Sequence, residues 1–140
     1  CIVMHPGDPD DLNGAGGDIL ERVRAFFEKK TTEAEQHGVN KNRLCFDPGI
    51  GFGKTNEEKF ALIANPEKIR VPGTALLMAT SRKRVIGAVC GNPPFEDRMA
   101  GTVAAHTASV LFGADMVRAH DTFEAVQAAR VADAIKQFRK

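Results

Sequence analysis

Three stretches of the chain carry residue types that could do chemistry together. The first is Asp47-Pro48-Gly49-Ile50-Gly51-Phe52-Gly53-Lys54, which opens on an acid and spaces its glycines around one phenylalanine. A carboxylate there could accept two parallel N–H donors, as from the edge of an amidine-like ring. Glycines let the backbone approach a ligand closely, and Phe52 offers a flat wall. The second stretch is Ser81-Arg82-Lys83-Arg84. It sets cations at a helix start, where the helix dipole disfavours them, so an anionic or electron-rich ligand, or open solvent, must offset the conflict. The third is Arg118-Ala119-His120, a forked donor and a ring donor suited to phosphate oxygens. A plainer reading stands beside each: Asp47 as a turn cap, the cations as a solvated patch, Arg118 and His120 as a salt-bridged strand end.

Two familiar glycine loops do not fit the first stretch. A phosphate-binding loop G-x-x-x-x-G-K-[ST] would need a glycine where Pro48 stands, and it does not begin with an acid. The dinucleotide pattern G-x-G-x-x-G fails because Lys54 occupies the place of its last glycine. Metal-ligand spacing such as H-E-x-x-H is absent, so no dedicated protein metal site is expected. His106 lies on an apolar helical stripe with Met99, Val103 and Val110 and reads as a packed histidine. His37 reads as a helix C-terminal residue favoured by the dipole.

The elements that must position these residues alternate. Apolar runs at Cys1–Met4, Leu44–Phe46, Ala75–Met78 and Asp115–Val117 read as strands. Helices are expected from Asp18 to His37 with Gly38 as the stop, and over 57–64 after a capping box at Thr55–Glu58. Further helices are expected over 82–89 with Ser81 as cap, over 96–112, and from a second capping box at Asp121–Glu124 to about Phe138. Residues 8–17 read as a polar loop. This order argues a parallel sheet with helices packed outside. His5, Asp47, Ser81, Lys83, Arg118 and His120 then fall at or just past strand C-termini, where parallel α/β folds place their sites. On a strand, Arg118 and His120 would share one face.

The 140 residues suit a single domain, and 43% hydrophobic with 26% charged residues is an ordinary globular balance. A net charge of +1 gives no electrostatic reason to expect nucleic acid or an anionic membrane as partner. No apolar run approaches the roughly 20 residues of a membrane span, and no signal-peptide pattern is present. Cys1, Cys45 and Cys90 are widely spaced and read as reduced thiols of a cytoplasmic protein. The chain begins inside an apolar run without Met, which suggests a piece of something longer.

Taken together, the motifs resemble the dihydropteroate synthase family. The match lies in Asp47–Lys54, Ser81-Arg82-Lys83, Met99-Ala100-Gly101-Thr102, Val117-Arg118-Ala119-His120-Asp121 and Val3-Met4-His5, so it runs the length of the chain. The resemblance implies an α/β fold, the C-terminal half (four βα units) of a (β/α)8 TIM barrel. Residues 1–140 would form a partial pterin-binding domain holding the fifth to eighth strands. It implies condensation of p-aminobenzoate with dihydropterin pyrophosphate, releasing pyrophosphate, with Mg²⁺ carried on the substrate pyrophosphate. By the same resemblance the substrate-binding residues are Met4, Asp47, Gly51, Phe52, Ser81, Lys83, Arg118 and His120, and the catalytic ones Lys83, Arg118 and His120. Asp47 would hold the pterin's amino-pyrimidine edge, with Met4 packed on the ring. Lys83 would bond the pterin beside the arriving p-aminobenzoate, and Phe52 would wall that pocket. Arg118 would stack over the pterin and, with His120, hold the pyrophosphate. Arg84 stands where many members have Ser beside the p-aminobenzoate carboxylate.

A full barrel takes about 250 residues, so the resemblance also implies a missing N-terminal half, supplied by complementation or by pairing as a homodimer. The chain alone is expected to be inactive or nearly so. Two other readings stay open: a methyltetrahydrofolate methyltransferase pterin domain, which would leave Arg118 and His120 without a pyrophosphate to hold, and a non-catalytic pterin-binding or assembly fragment.

Overall fold

Short apolar runs bounded by polar or glycine turns form four parallel strands: β1 (Ile2–Met4), β2 (Cys45–Asp47), β3 (Ala75–Met78) and β4 (Met116–Val117). They lie side by side in sequence order. Parallel neighbours require a crossover. Here the crossovers are α1 (Ile19–Gln36), then α2 (Asn56–Ala64) with α3 (Pro66–Ile69), then α4 (Arg84–Val89) with α5 (Met99–Leu111), while α6 (Thr122–Lys136) follows β4. The computed structural model describes residues 1–7 and 17–139, so the expected loop over 8–17 lies outside the described residues except for Gly17.

Local chemistry sets the helix ends. Asp18 Oδ1 accepts the Leu20 N–H at 2.9 Å and starts α1. Gly38, at φ 77°, ends it, with Gly38 N–H donating to Glu35 O and Val39 N–H to Ala34 O. Thr55 and Glu58 form the expected reciprocal capping box at α2. Two expected caps are not made. Ser81 does not cap α4, whose N-cap is Lys83 without a side-chain bond, and Asp121 makes no cap bond at α6. Both side chains are taken by partners far along the chain instead. The stretch expected as one helix over 96–112 divides into a 3₁₀ turn, Phe95–Arg98, and α5.

Strand alternation separates two faces. Val3, Phe46, Leu76 and Met78 turn toward the helices and pack with Val23 and Phe27 of α1; the Phe27 ring stacks on Phe46 at 4.5 Å between centroids. Burying a side chain of this size contributes about 1.5–3 kcal/mol, so β2 and α1 form the centre of the core. Among the described residues, the opposite face carries the small cluster of Cys45, Leu77 and Ala79, with Ala75 packed against it. On that side Ile2, Met4 and Met116 are 61%, 37% and 46% exposed. Helices therefore seal one face of the sheet and leave the other open. The cysteines are unpaired, with Cys45 buried and Cys1 and Cys90 exposed.

His106 packs inside α5 at 1% exposure, and neither ring nitrogen makes a hydrogen bond of normal geometry. Burial holds its pKa below the usual histidine value, opposed in part by the nearby Arg118 backbone. A buried neutral ring of this kind favours the unfolded chain once that chain can take the proton. Stability is thus complete above about pH 7 and falls as pH drops through about 6.5 toward the lower folded value. Urea unfolding at pH 7.5 and 5.5 should show the midpoint falling, and His106→Gln should flatten that dependence. An unchanged slope in the variant would contradict it.

Candidate functional site

The β2 loop is shaped by its own carboxylate. Gly49 N–H donates to Asp47 Oδ1 at 2.8 Å, folding the chain back on itself. Gly49 sits at φ 73°, and a Cβ there would strike the His5 carbonyl, so only glycine fits. Lys54, 4% exposed, reaches under the loop and donates to Phe52 O at 3.1 Å. At Gly51, φ 114°, a Cβ would lie 3.0 Å from Lys83 Cδ. The absent side chain thus leaves room for the Lys83 stem. Lys83 Nζ crosses this gap, donates to Ile50 O and lies 5.2 Å from the Phe52 ring centroid.

The other two site loops hold each other. Ser81 Oγ accepts the His120 N–H at 3.1 Å and lies 2.8 Å from His120 Nδ1. Arg82 donates through Nε and Nη2 to the two Asp121 carboxylate oxygens, at 2.9 and 2.5 Å. The strand itself stops early: β4 ends at Val117, so Arg118, Ala119 and His120 do not alternate on a strand as expected. Only two residues of β4 pair with β3, and beyond them a single bond, Arg118 N–H to Met78 O at 3.2 Å, extends the contact.

Two concavities of about 540 and 250 Å³ open on this rim and share Phe52, Ser81, Lys83 and His120. Gly51, Arg84 and Lys59 also bound the larger one, with Arg82, Phe95 and Arg98 at its far side. Arg118 bounds the smaller. Of the eight expected binding residues, six therefore line one or both concavities. Met4 and Asp47 do not; they are register partners on the open face of the sheet, and Asp47 is 6% exposed.

Charge links Asp47 to the rest. Burial pushes its pKa above the usual carboxylate value, while the Gly49 N–H, Lys83, Arg118 and Lys54 hold it down. Burial also pushes the Lys83 pKa below the usual ammonium value; Asp47 opposes that, and Arg118 and Lys59 add to it. The arrangement offers a shielded acceptor for a donor-bearing ring edge, cations for an anion, and the half-exposed Phe52 as a wall. Among the described residues, no group of three or more His, Cys, Asp or Glu could hold a metal ion.

The sequence reading did not single out Lys59, Phe95, Arg98 or the Arg82–Asp121 pair. For Phe95 a signal existed, an aromatic directly after the Pro93-Pro94 turn. For the ion pair there was none, since its members lie 39 positions apart.

Known proteins resemble this chain in sequence and in fold. The family described as "Pterin binding enzyme" matches residues 1–120. The chain is 37% identical to a dihydropteroate synthase of Clostridium beijerinckii, covering 96% of the chain and 49% of that protein. It is 35% identical to that of a Synechocystis species, covering 96% and 47%. Among solved structures, dihydropteroate synthase from Xanthomonas albilineans in complex with 7,8-dihydropteroate superposes with a TM-score of 0.87 at 34% identity, over 96% of this chain and 50% of that one. The chain spans about half the length of these relatives. Its four βα units are the C-terminal half of a (β/α)8 barrel. With a family match over most of its length and the fold of the solved relatives, the chain belongs to the pterin-binding enzymes.

Proposed function

We propose that the chain forms the substrate-facing half of a dihydropteroate synthase, which condenses p-aminobenzoate with dihydropterin pyrophosphate. One observation carries the reading. A buried carboxylate, Asp47, lies in the field of Lys83 and Arg118, beside concavities bounded by Phe52, Ser81, Lys83 and His120. Asp47 accepts the two N–H donors of the amino-pyrimidine edge, and Met4, its register partner, lies against the ring. Lys83, fixed across Gly51, donates to the pterin and flanks the aryl amine against Phe52. Arg118 and His120 receive the pyrophosphate.

The reaction breaks the bond between the pterin methylene carbon and the pyrophosphate oxygen and forms a carbon–nitrogen bond to the aryl amine, which gives up a proton. Charge builds on the departing oxygen, so fixed donors aimed there lower the barrier. No enzyme nucleophile is needed. Mg²⁺ bound to the pyrophosphate would neutralise more of that charge. The residues we place around the pyrophosphate are Arg118 and His120, which suit phosphate oxygens, so the metal would arrive on the substrate.

The open sheet face, with Ile2, Met4 and Met116 exposed, implies a covering half that completes the barrel, from the same polypeptide or another. Pairing of whole barrels as a homodimer belongs to the same proposal. A coupled assay for pyrophosphate release should find the 140-residue chain far slower than a full-length relative; comparable turnover would refute the need for a second half.

Asp47 supplies the sharper test. A hydrogen bond to a charged group contributes about 1.5–3 kcal/mol, so Asp47→Ala should weaken pterin binding by about 10- to 150-fold in calorimetric titration. Because burial raises the Asp47 pKa and the ionised form is the acceptor, affinity should also fall as pH drops through that raised value. In the variant that acid limb should vanish. Equal affinity in both proteins would remove the pterin assignment.

A further inference from the structure

Arg82 is in an unusual state for a residue with a side chain. Its φ is 55°, in the left-handed region, where a non-glycine residue is held only when its surroundings over-determine it. Those surroundings are visible. Its N–H donates to Thr102 Oγ1 of α5 at 2.9 Å, and its carbonyl accepts from Arg98 Nη1 at 3.1 Å. Its guanidinium meets Asp121 through two bonds and lies 5.1 Å from the Phe95 ring centroid. The Phe95 ring in turn packs edge-on to His120 at 5.3 Å.

The positions of the neighbours give this meaning. Arg82 stands between Ser81 and Lys83, and Asp121 directly follows His120. The ion pair therefore joins the loop after β3 to the loop after β4, and the Ser81–His120 contact lies beside it. Ser81 Oγ already accepts the His120 N–H. When its own proton goes to Nδ1, the neutral ring keeps its proton on Nε2, leaving a donor on the far side of the imidazole. An Arg–carboxylate fork fixes direction as well as distance, which a single hydroxyl contact cannot.

We propose that Arg82 is a positioning residue: its fork with Asp121 locks the two loops so that Ser81 holds His120 with its free ring nitrogen turned toward an incoming anion. The lock is a property of the chain itself, while the identity of the anion as pyrophosphate rests on the function proposed above. Strain at Arg82 is the cost of bringing the guanidinium to Asp121 while Ser81 and Lys83 stay on the rim.

The test separates local order from folding. Arg82→Gly keeps the left-handed backbone and loses the fork, Asp121→Asn removes the charge at nearly constant volume, and a double variant closes the cycle. Each is compared with the unaltered chain by thermal unfolding, by amide hydrogen exchange at His120, and by calorimetry with inorganic pyrophosphate. The unfolding midpoint should barely change. The His120 amide should exchange about tenfold faster or more, and pyrophosphate affinity should fall about tenfold in each single variant, with little further loss in the double. Arg82→Lys, which keeps the charge without the fork, should recover only part of the loss. Unchanged His120 exchange in both single variants, or losses that simply add in the double, would overturn the proposal. If the unaltered chain takes no pyrophosphate, the functional reading fails, and the exchange rates still decide the lock.

Discussion

Asp47 and Lys83 are both drawn out of water at the rim of the sheet, and burial favours the neutral form of each. Their mutual attraction resists this. Arg118 favours the charged form of Asp47 and disfavours that of Lys83, so the three groups cannot all be satisfied by one another. A ligand that brings N–H donors to the acid and negative charge to the cations relieves every member of the set. A buried charge group of this sort adds little to stability, because desolvation consumes most of the Coulombic gain. Its value lies in what it can bind.

That charge set depends on backbone placed without side chains. At Gly49 a methyl group would collide with the His5 carbonyl, and at Gly51 it would press on the Lys83 stem. The loop therefore closes on Asp47 from one side and receives Lys83 from the other. Lys54 stays beneath, bonded to loop carbonyls. Two lysines in one neighbourhood thus take different parts, one supporting the loop and one facing outward.

Much of this was legible in the sequence where the determinant is local. The alternation of apolar runs and helical stripes identified all four strands, and Asp18, Gly38 and the Thr55–Glu58 box mark helix ends where the chain ends them. Ser81 and Asp121 looked like the same signal and were not. A serine or aspartate before a helix can cap it, yet here the side chains find stronger partners 39 residues away, His120 and Arg82. Residue spacing cannot rank a local bond against a distant one. The short β4 escaped for a related reason: the apolar character of Val117 suggests a strand, but how far it runs depends on the β3 ladder, which ends at Met78.

The same bonds explain why half a barrel can hold a complete-looking rim. Gly49 bonds Asp47, Ile50 receives Lys83, Met78 receives Arg118 and Ser81 receives His120, so each expected polar side chain or its backbone is tied within these four units. Nothing in those contacts waits for another strand. What the present units do leave open is the face carrying Ile2, Met4 and Met116, together with the outer edges of β1 and β4. For these residues, other strands would therefore contribute cover more than placement. They would seal the apolar inner face and exclude water from the charge set, which strengthens each electrostatic contact there. The division follows from the fold itself: in a parallel α/β sheet each site loop is fixed by its own strand and the helix after it, whereas closure belongs to the whole ring.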